Sequence, residues 1–111
     1  MNVQYKIELT HFAHSDLLLI GEYYLSKAGA QVAQKILQNI EDAIDKLNFQ
    51  PTRGHKPHEL YDIANTNYLE IIANHHRIIY QIQSTTVYII AIFDGRQDVK
   101  SHLLKRLTYI H

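Results

Sequence analysis

The sequence predicts a small α+β domain in which a helical hairpin packs on one face of a mainly antiparallel sheet of about four strands. Two observations support this prediction. Hydrophobic residues alternate near the N-terminus, recur every three or four residues up to position 48, and alternate or run continuously after position 66. Strands therefore follow helices in a block, which is typical of α+β domains. A chain of 111 residues also fits one hydrophobic core, so we expect a single domain over residues 1–111.

The first strand and first helix are predicted from the change of period around Thr10. Residues 3–9 alternate between apolar and polar side chains, which predicts a half-buried strand with Val3, Tyr5, Ile7 and Leu9 inward. The Thr10 hydroxyl can accept a hydrogen bond from an unpaired backbone N–H and so begin a helix over residues 11–27. Its buried face is predicted to carry Ala13, Leu17, Ile20 and Tyr24. Residues 26–29 form the predicted hairpin turn, with Gly29 ending the helix.

The second helix, over residues 30–48, has the clearest apolar stripe in the chain. A stripe of this width predicts burial against a sheet. Its members are Ala33, Ile36, Leu37, Ile40, Ala43, Ile44 and Leu47. Residues 49–65 carry two prolines and a glycine and are predicted to be a loop.

Three strands and a final helix complete the prediction. The strands cover residues 67–73, 76–83 and 86–93, and short turns at Asn74-His75 and Ser84-Thr85 connect them. The third of these strands is apolar on both faces, as expected of a central strand. A last helix is predicted over residues 98–107. Asp98 is its predicted cap, and Val99, Leu103, Leu104 and Leu107 are its predicted buried side.

Two arginines, Arg77 and Arg96, lie beside otherwise apolar strands. Because an arginine keeps its charge, it is rarely buried without a partner. Arg77 is either a clamp for a phosphate or carboxylate ligand, or a structural arginine paired with Glu70 or Glu59. Arg96, which follows Asp94-Gly95, either lies in a site at the strand end or pairs with a neighbouring aspartate. The sequence leaves both alternatives open.

The eight histidines do not follow the spacing of a known metal site. His75 and His76 are adjacent, and neighbouring residues in a strand point to opposite faces. We therefore predict no metal and no cofactor. One histidine could still act as a general acid or base, since its pKa lies near neutral pH. The sequence also has no catalytic serine triad pattern and no phosphate-binding glycine loop.

Overall charge and targeting signals limit the classes of partner. The formal net charge is zero, so binding to nucleic acid would require a local basic patch. The sequence has no cysteine, which fits a reducing compartment. We see no signal peptide and no membrane span, so a cytoplasmic location is expected.

Several short motifs together resemble the ParE/RelE superfamily, the toxins of type II toxin–antitoxin modules. They occur in the expected order along nearly the whole chain. They are Leu9-Thr10, Ala13, Asp16-Leu17, Leu47, Pro51, Gly54, Pro57-His58-Glu59-Leu60, Tyr68-Leu69-Glu70-Ile71, Arg77-Ile78-Ile79-Tyr80, Asp94-Gly95-Arg96-Gln97-Asp98, Leu103-Leu104 and Arg106-Leu107. The resemblance implies a RelE/ParE-like fold, which agrees with the fold class predicted above. It also implies a cognate antitoxin as partner, in a hetero-oligomeric complex.

The superfamily contains two kinds of toxin, and the resemblance implies different roles for the same residues in each. RelE-like toxins cleave messenger RNA on the ribosome; in that case Arg77 and Arg96 would stabilise phosphate charge and Glu59 would be a general base. ParE-like toxins instead poison DNA gyrase. The segment 94–98, the Leu104 and Arg106-Leu107 ending and the neutral net charge favour the ParE-like function. A third possibility is an inactive relic that only binds its antitoxin.

Overall fold

A computed structural model describes residues 4–61, 67–95, 101 and 103–106. The elements are strand β1 (Lys6–Leu9), helices α1 (His11–Ala28) and α2 (Ala30–Asp45), and strands β2 (Tyr68–Ala73), β3 (His76–Gln83) and β4 (Thr86–Asp94). Short 3-10 helices cover Lys46–Asn48 and His58–Leu60. Residues 101 and 103–106 are helical and belong to the predicted C-terminal helix. Its predicted cap, Asp98, together with Val99 and Leu107, lies outside the described residues.

The four strands form one sheet in the order β1-β4-β3-β2. β1 runs parallel to β4, and the other two pairs are antiparallel. β4 is therefore a central strand, as its continuous apolar run predicts. Asn74 and Ser84 have φ angles of 59° and 54°, so both tight turns use a left-handed residue. The predicted α+β fold class is confirmed.

The helical hairpin has the predicted caps but a shorter turn. The Thr10 hydroxyl accepts a hydrogen bond from the Ala13 N–H at 3.2 Å, which confirms the predicted helix start. α1 continues to Ala28, so Gly29 alone connects the helices, at a φ of 93° that favours glycine. α2 ends at Asp45, and the last predicted turn, residues 46–48, is a 3-10 helix instead.

The sheet has a helix-covered face and an opposite face, and each has its own cluster of buried side chains. Under the hairpin, the cluster includes Ala13, Ile40, Ile44, Leu47, Ile71, Ala73, Ile78, Tyr80, Val87, Ile89 and Ile92. On the opposite face, it consists of Leu60, Tyr68, Ile79, Ile90, Ala91, Phe93 and Leu103. A register shift between Ile79 and Tyr80 lets Ile90 and Ala91 both join the second cluster. Among the described residues, the 3-10 helix His58–Leu60 and the C-terminal helix pack on this second face, through Leu60 and Leu103.

Among the described residues, the predicted inward positions of Leu9 and Leu104 are wrong, because both side chains are exposed. Leu9 is 37% exposed, because it is the last residue of a four-residue edge strand. Leu104 is 40% exposed, whereas its neighbour Leu103 is fully buried in the second cluster. Within the described part of the chain, no helix is long and apolar enough to cross a membrane.

Candidate functional site

The candidate site lies on the opposite face of the sheet, where β2 and β3 carry Glu70 and Arg77. In the antiparallel register Arg77 is paired with Ile72 and Glu70 with Ile79. Glu70 and Arg77 are therefore diagonal neighbours on one face. Their side chains are only 3% and 10% exposed. Two charged groups buried to this extent need close partners, and each is the partner of the other.

The loop before β2 brings Glu59 to the same place. Backbone hydrogen bonds join His55 to Glu70 in both directions, at 3.0 and 2.7 Å. The Tyr80 hydroxyl donates to the Pro51 carbonyl at 2.7 Å and accepts from the Gly54 N–H at 3.0 Å. These bonds hold the loop against the edge of the sheet.

Gly54 is required at this position because the backbone approaches the sheet closely. A Cβ atom on Gly54 would lie 2.6 Å from both the Glu70 carbonyl oxygen and the Tyr80 hydroxyl. The chain then turns into the 3-10 helix, in which Leu60 is fully buried. Its neighbour Glu59 is thereby positioned over Arg77.

Glu59, Glu70 and Arg77 form what we call the Arg77 network. Arg77 Nε and Nη2 donate to the Glu70 carboxylate, both at 2.7 Å. Arg77 Nη2 also donates to Glu59 Oε1 at 2.6 Å, and Nη1 donates to Glu59 Oε2. Each carboxylate is thus bound in a bidentate manner, the strongest geometry for this pair of groups. Of the two alternatives for Arg77, the structure shows the paired arginine. Arg77 pairs with Glu59 and Glu70 at the same time.

The electrostatics of the network favour its charged form. Hydrogen bonding to Arg77 lowers the pKa of Glu59 to about 2. The hydrogen bonds that Arg77 donates to Glu59 and Glu70 raise the pKa of Arg77 above its usual value. Two carboxylates and one guanidinium leave the network with a net negative charge. An incoming phosphate would have to displace a carboxylate to reach Arg77, and Glu59 has little tendency to accept a proton at neutral pH.

A shallow depression of about 440 Å³ lies beside the network. Two exposed histidines stand next to the carboxylates. His58 Nδ1 is 3.5 Å from Glu59 Oε1, and His55 Nε2 is 3.9 Å from Glu70 Oε2. Three site residues were predicted: Glu59, Arg77 and Arg96. The structure brings Glu59 and Arg77 together. The third, Arg96, lies outside the described residues, so its predicted role stays a prediction.

A second buried ion pair, between Asp16 and Arg106, was not predicted from the sequence. Arg106 Nη1 and Nη2 donate to the two Asp16 oxygens at 2.7 and 2.8 Å. The Ile92 N–H also donates to Asp16, at 2.8 Å. The Arg106 guanidinium lies over the rings of Phe12 and Phe93, 5.1 and 4.8 Å from their centroids. The sequence did indicate that Asp16 is buried, because it follows Ala13 by three residues and so lies on the side of α1 predicted to be buried.

Solved structures with the same fold include toxins and toxin–antitoxin complexes. A structure of the chromosomal ParDE toxin–antitoxin system from P. aeruginosa matches with a TM-score of 0.69 and 16% identity, covering 82% of this chain and 96% of that one. The RelBE2 toxin–antitoxin complex from Mycobacterium tuberculosis gives a TM-score of 0.55 at 22% identity, covering 83% and 92%. A mutant of the E. coli toxin RelE in the free state gives 0.62 at 10% identity, covering 97% and 99%.

The fold is thus that of the small toxins of type II toxin–antitoxin systems. At the sequence level, no curated protein matches the chain. A family model described as "ParE toxin of type II toxin-antitoxin system, parDE" matches residues 7–99. The chain therefore belongs to the ParE toxin family.

Proposed function

We propose that this protein inhibits growth by acting on DNA gyrase, and that a cognate antitoxin neutralises it. Its membership of a family of type II toxins supports the general function. The observation that favours gyrase over messenger RNA is the Arg77 network, in which two carboxylates occupy the candidate phosphate-binding arginine. Because gyrase acts in the cytoplasm, the proposal implies that location.

Ribonuclease chemistry would require the network to change its partners. Cleavage of RNA needs a base whose pKa lies near the operating pH and a cation free to stabilise the developing charge. Glu59, with a pKa of about 2, is a poor base, and Arg77 already donates four hydrogen bonds. The zero net charge of the chain adds no general attraction to ribosomal RNA. These features support a protein target.

The runner-up is a RelE-like endoribonuclease that cleaves messenger RNA on the ribosome. The closeness of Glu59, Arg77 and His58 beside a depression favours it. Under this alternative, the RNA phosphate would replace Glu59 on Arg77 and release its carboxylate. Arg96 would be the second phosphate-stabilising arginine. An inactive relic that binds only its antitoxin is the third alternative.

Exposed apolar side chains on the outer side of α1 support the proposal that an antitoxin binds there. Four large apolar side chains of this helix are each more than half exposed: Leu18, Leu19, Tyr23 and Leu25. A helix that is apolar on its outer side as well as its inner side is usually covered by a partner. We propose that a helical or extended antitoxin segment covers this surface.

A supercoiling assay tests the proposed target. Purified toxin is added to gyrase and relaxed plasmid, and in parallel to ribosomes translating a defined messenger RNA. We expect inhibited supercoiling or trapped cleaved DNA, reversed by the antitoxin, and intact messenger RNA. Cleaved messenger RNA with normal supercoiling would replace the proposal with the runner-up. Activity in neither assay, with antitoxin binding retained, would indicate the relic.

The antitoxin surface has its own test. Changing Leu19 to Glu should weaken antitoxin binding at least about tenfold, because it places a charge in a buried interface. The matched control is Gln31→Glu, an exposed position on α2. If both variants bind the antitoxin as the unmodified toxin does, the outer side of α1 is not the docking surface.

A further inference from the structure

A second group of polar side chains lies on the helix-covered side, where β3 begins and β4 ends. His75, His76 and Asp94 each offer a ligand atom, and these atoms lie within 4.8 Å of one another. His76 and Asp94 are paired across the β3–β4 ladder. The cluster is separate from the Arg77 network, because His76 and Arg77 are consecutive strand residues and point to opposite faces.

The two histidines come together because His75 is in a turn and not in a strand. Asn74 has a left-handed φ of 59°, and β3 begins only at His76. The alternation rule therefore does not apply, and the two imidazole rings lie 4.5 Å apart, at an angle of 33°. The Gly95 N–H donates to the His75 carbonyl at 2.9 Å, which ties this turn to the end of β4.

His76 carries an unpaired polar atom into this cluster. The residue is 2% exposed, and its Nδ1 has no hydrogen-bond partner among the described residues. Leaving a buried nitrogen unpaired is costly. An imidazole nitrogen binds a metal through its free lone pair, so an unpaired ring nitrogen is a suitable ligand atom.

His75 is held in a suitable orientation by helix α1. Its Nε2 lies 2.8 Å from the Tyr24 hydroxyl, and the Tyr24 ring also packs edge-on against His76 at 6.0 Å. Histidine ligands in metalloproteins usually have their second nitrogen hydrogen-bonded to a neighbouring group in this way. The contact engages Nε2, so Nδ1 is the remaining ring nitrogen of His75.

We propose that His75, His76 and Asp94 form a binding site for a divalent transition metal of the zinc class. Two imidazoles and a carboxylate suit zinc better than magnesium or calcium, which prefer oxygen ligands. Solvent completes the coordination. The bound metal gives His76 Nδ1 a partner and ties the β2–β3 turn to the end of β4. Through Tyr24, it also ties this end of the sheet to α1.

The test is zinc binding by the full chain without a histidine tag, after chelator treatment and dialysis. Isothermal titration with Zn²⁺ should give one site per chain, and Co²⁺ should give visible d–d absorption. Zn²⁺ should also raise the Tm, since a ligand that binds only the folded state stabilises it. His75→Gln and Asp94→Asn should each abolish the site, and Tyr24→Phe should weaken it about tenfold.

The matched control is the double variant His11→Gln/His14→Gln, which removes two exposed α1 histidines and should keep full zinc binding. Because His75 is exposed, His75→Gln should fold as the unmodified chain does, and circular dichroism checks this. The proposal is overturned if the unmodified chain binds no zinc. It is also overturned if folded His75→Gln and Asp94→Asn bind zinc with unchanged affinity, or if only the His11/His14 variant loses it.

Discussion

In the described part of the chain, Arg77 and Arg106 are both largely buried, and they are held in different ways. Arg77 is bound by two carboxylates, one from a loop and one from a strand. Arg106 is bound by one carboxylate, Asp16, and lies over two aromatic rings. The first arrangement has a net negative charge and the second is neutral. Both guanidiniums are about equally buried, at 10% and 15% side-chain exposure.

The difference indicates what each arginine does for the fold. β1 ends at Leu9, so it cannot pair with β4 as far as Ile92. The Asp16 carboxylate accepts the hydrogen bond of the Ile92 N–H, which a neighbouring strand would otherwise accept. Arg106 neutralises the charge of Asp16. Arg77 instead joins the loop carrying Glu59 to the sheet. An arginine with two carboxylate partners is well suited to joining elements and poorly suited to binding an anion.

The largest expected effect is from Arg77→Met, which leaves Glu59 and Glu70 buried without their cation. Breaking a buried pair on one side should lower the free energy of unfolding by about 3–5 kcal/mol. Urea denaturation measures this, with the exposed Arg53→Met as the matched control. If Arg77→Met is as stable as the control while toxicity is lost, Arg77 acts on a ligand and not on the fold.

Arg106→Met should have a smaller effect, about 2–3 kcal/mol, because Asp16 keeps its hydrogen bond from Ile92. The same urea experiment compares the two variants directly. An Arg106 effect larger than the Arg77 effect would reverse the comparison and make the Asp16 pair the main ionic support of the domain.

Acid should weaken the Arg77 network in a defined pH range. The folded-state pKa of Glu59 is about 2, below its usual value of 4.5. Its contribution to stability is therefore complete above about pH 4.5 and is lost as the pH falls towards 2, by about 1–2 kcal/mol, since the Glu59 side chain is partly exposed to solvent. The difference in unfolding free energy between the unmodified chain and Glu59→Gln, measured across this range, isolates the contribution. A difference that does not vary with pH would mean that Glu59 is not held by Arg77 in solution.

The smallest stability effect is expected from Glu59→Gln at neutral pH, about 1–2 kcal/mol, because Arg77 keeps both bonds to Glu70. Circular dichroism during urea unfolding measures it. A loss as large as that of Arg77→Met would show that Glu59, and not Glu70, is the main partner of Arg77.

The sequence predicted the fold well because the hydrophobic period is a local property. The continuous apolar run of β4 and the stripe of α2 each determine an element without knowledge of distant residues. Site contacts depend on residues far apart in the chain. The partners of Arg77 depend on a loop position fixed by Tyr80 and Gly54, and Asp16 and Arg106 are 90 positions apart. The left-handed residue that brings His75 beside His76 likewise could not be derived from strand alternation.

Gyrase supercoiling inhibition by the unmodified toxin and by Glu59→Gln, after both are confirmed to be folded, tests both the proposed target and the structural role of the Arg77 network. If the Arg77 network is structural and gyrase is the target, both proteins should inhibit supercoiling at similar concentrations. No inhibition by either protein, together with messenger RNA cleavage that Glu59→Gln abolishes, would exclude gyrase as the target and identify Glu59 as a catalytic base.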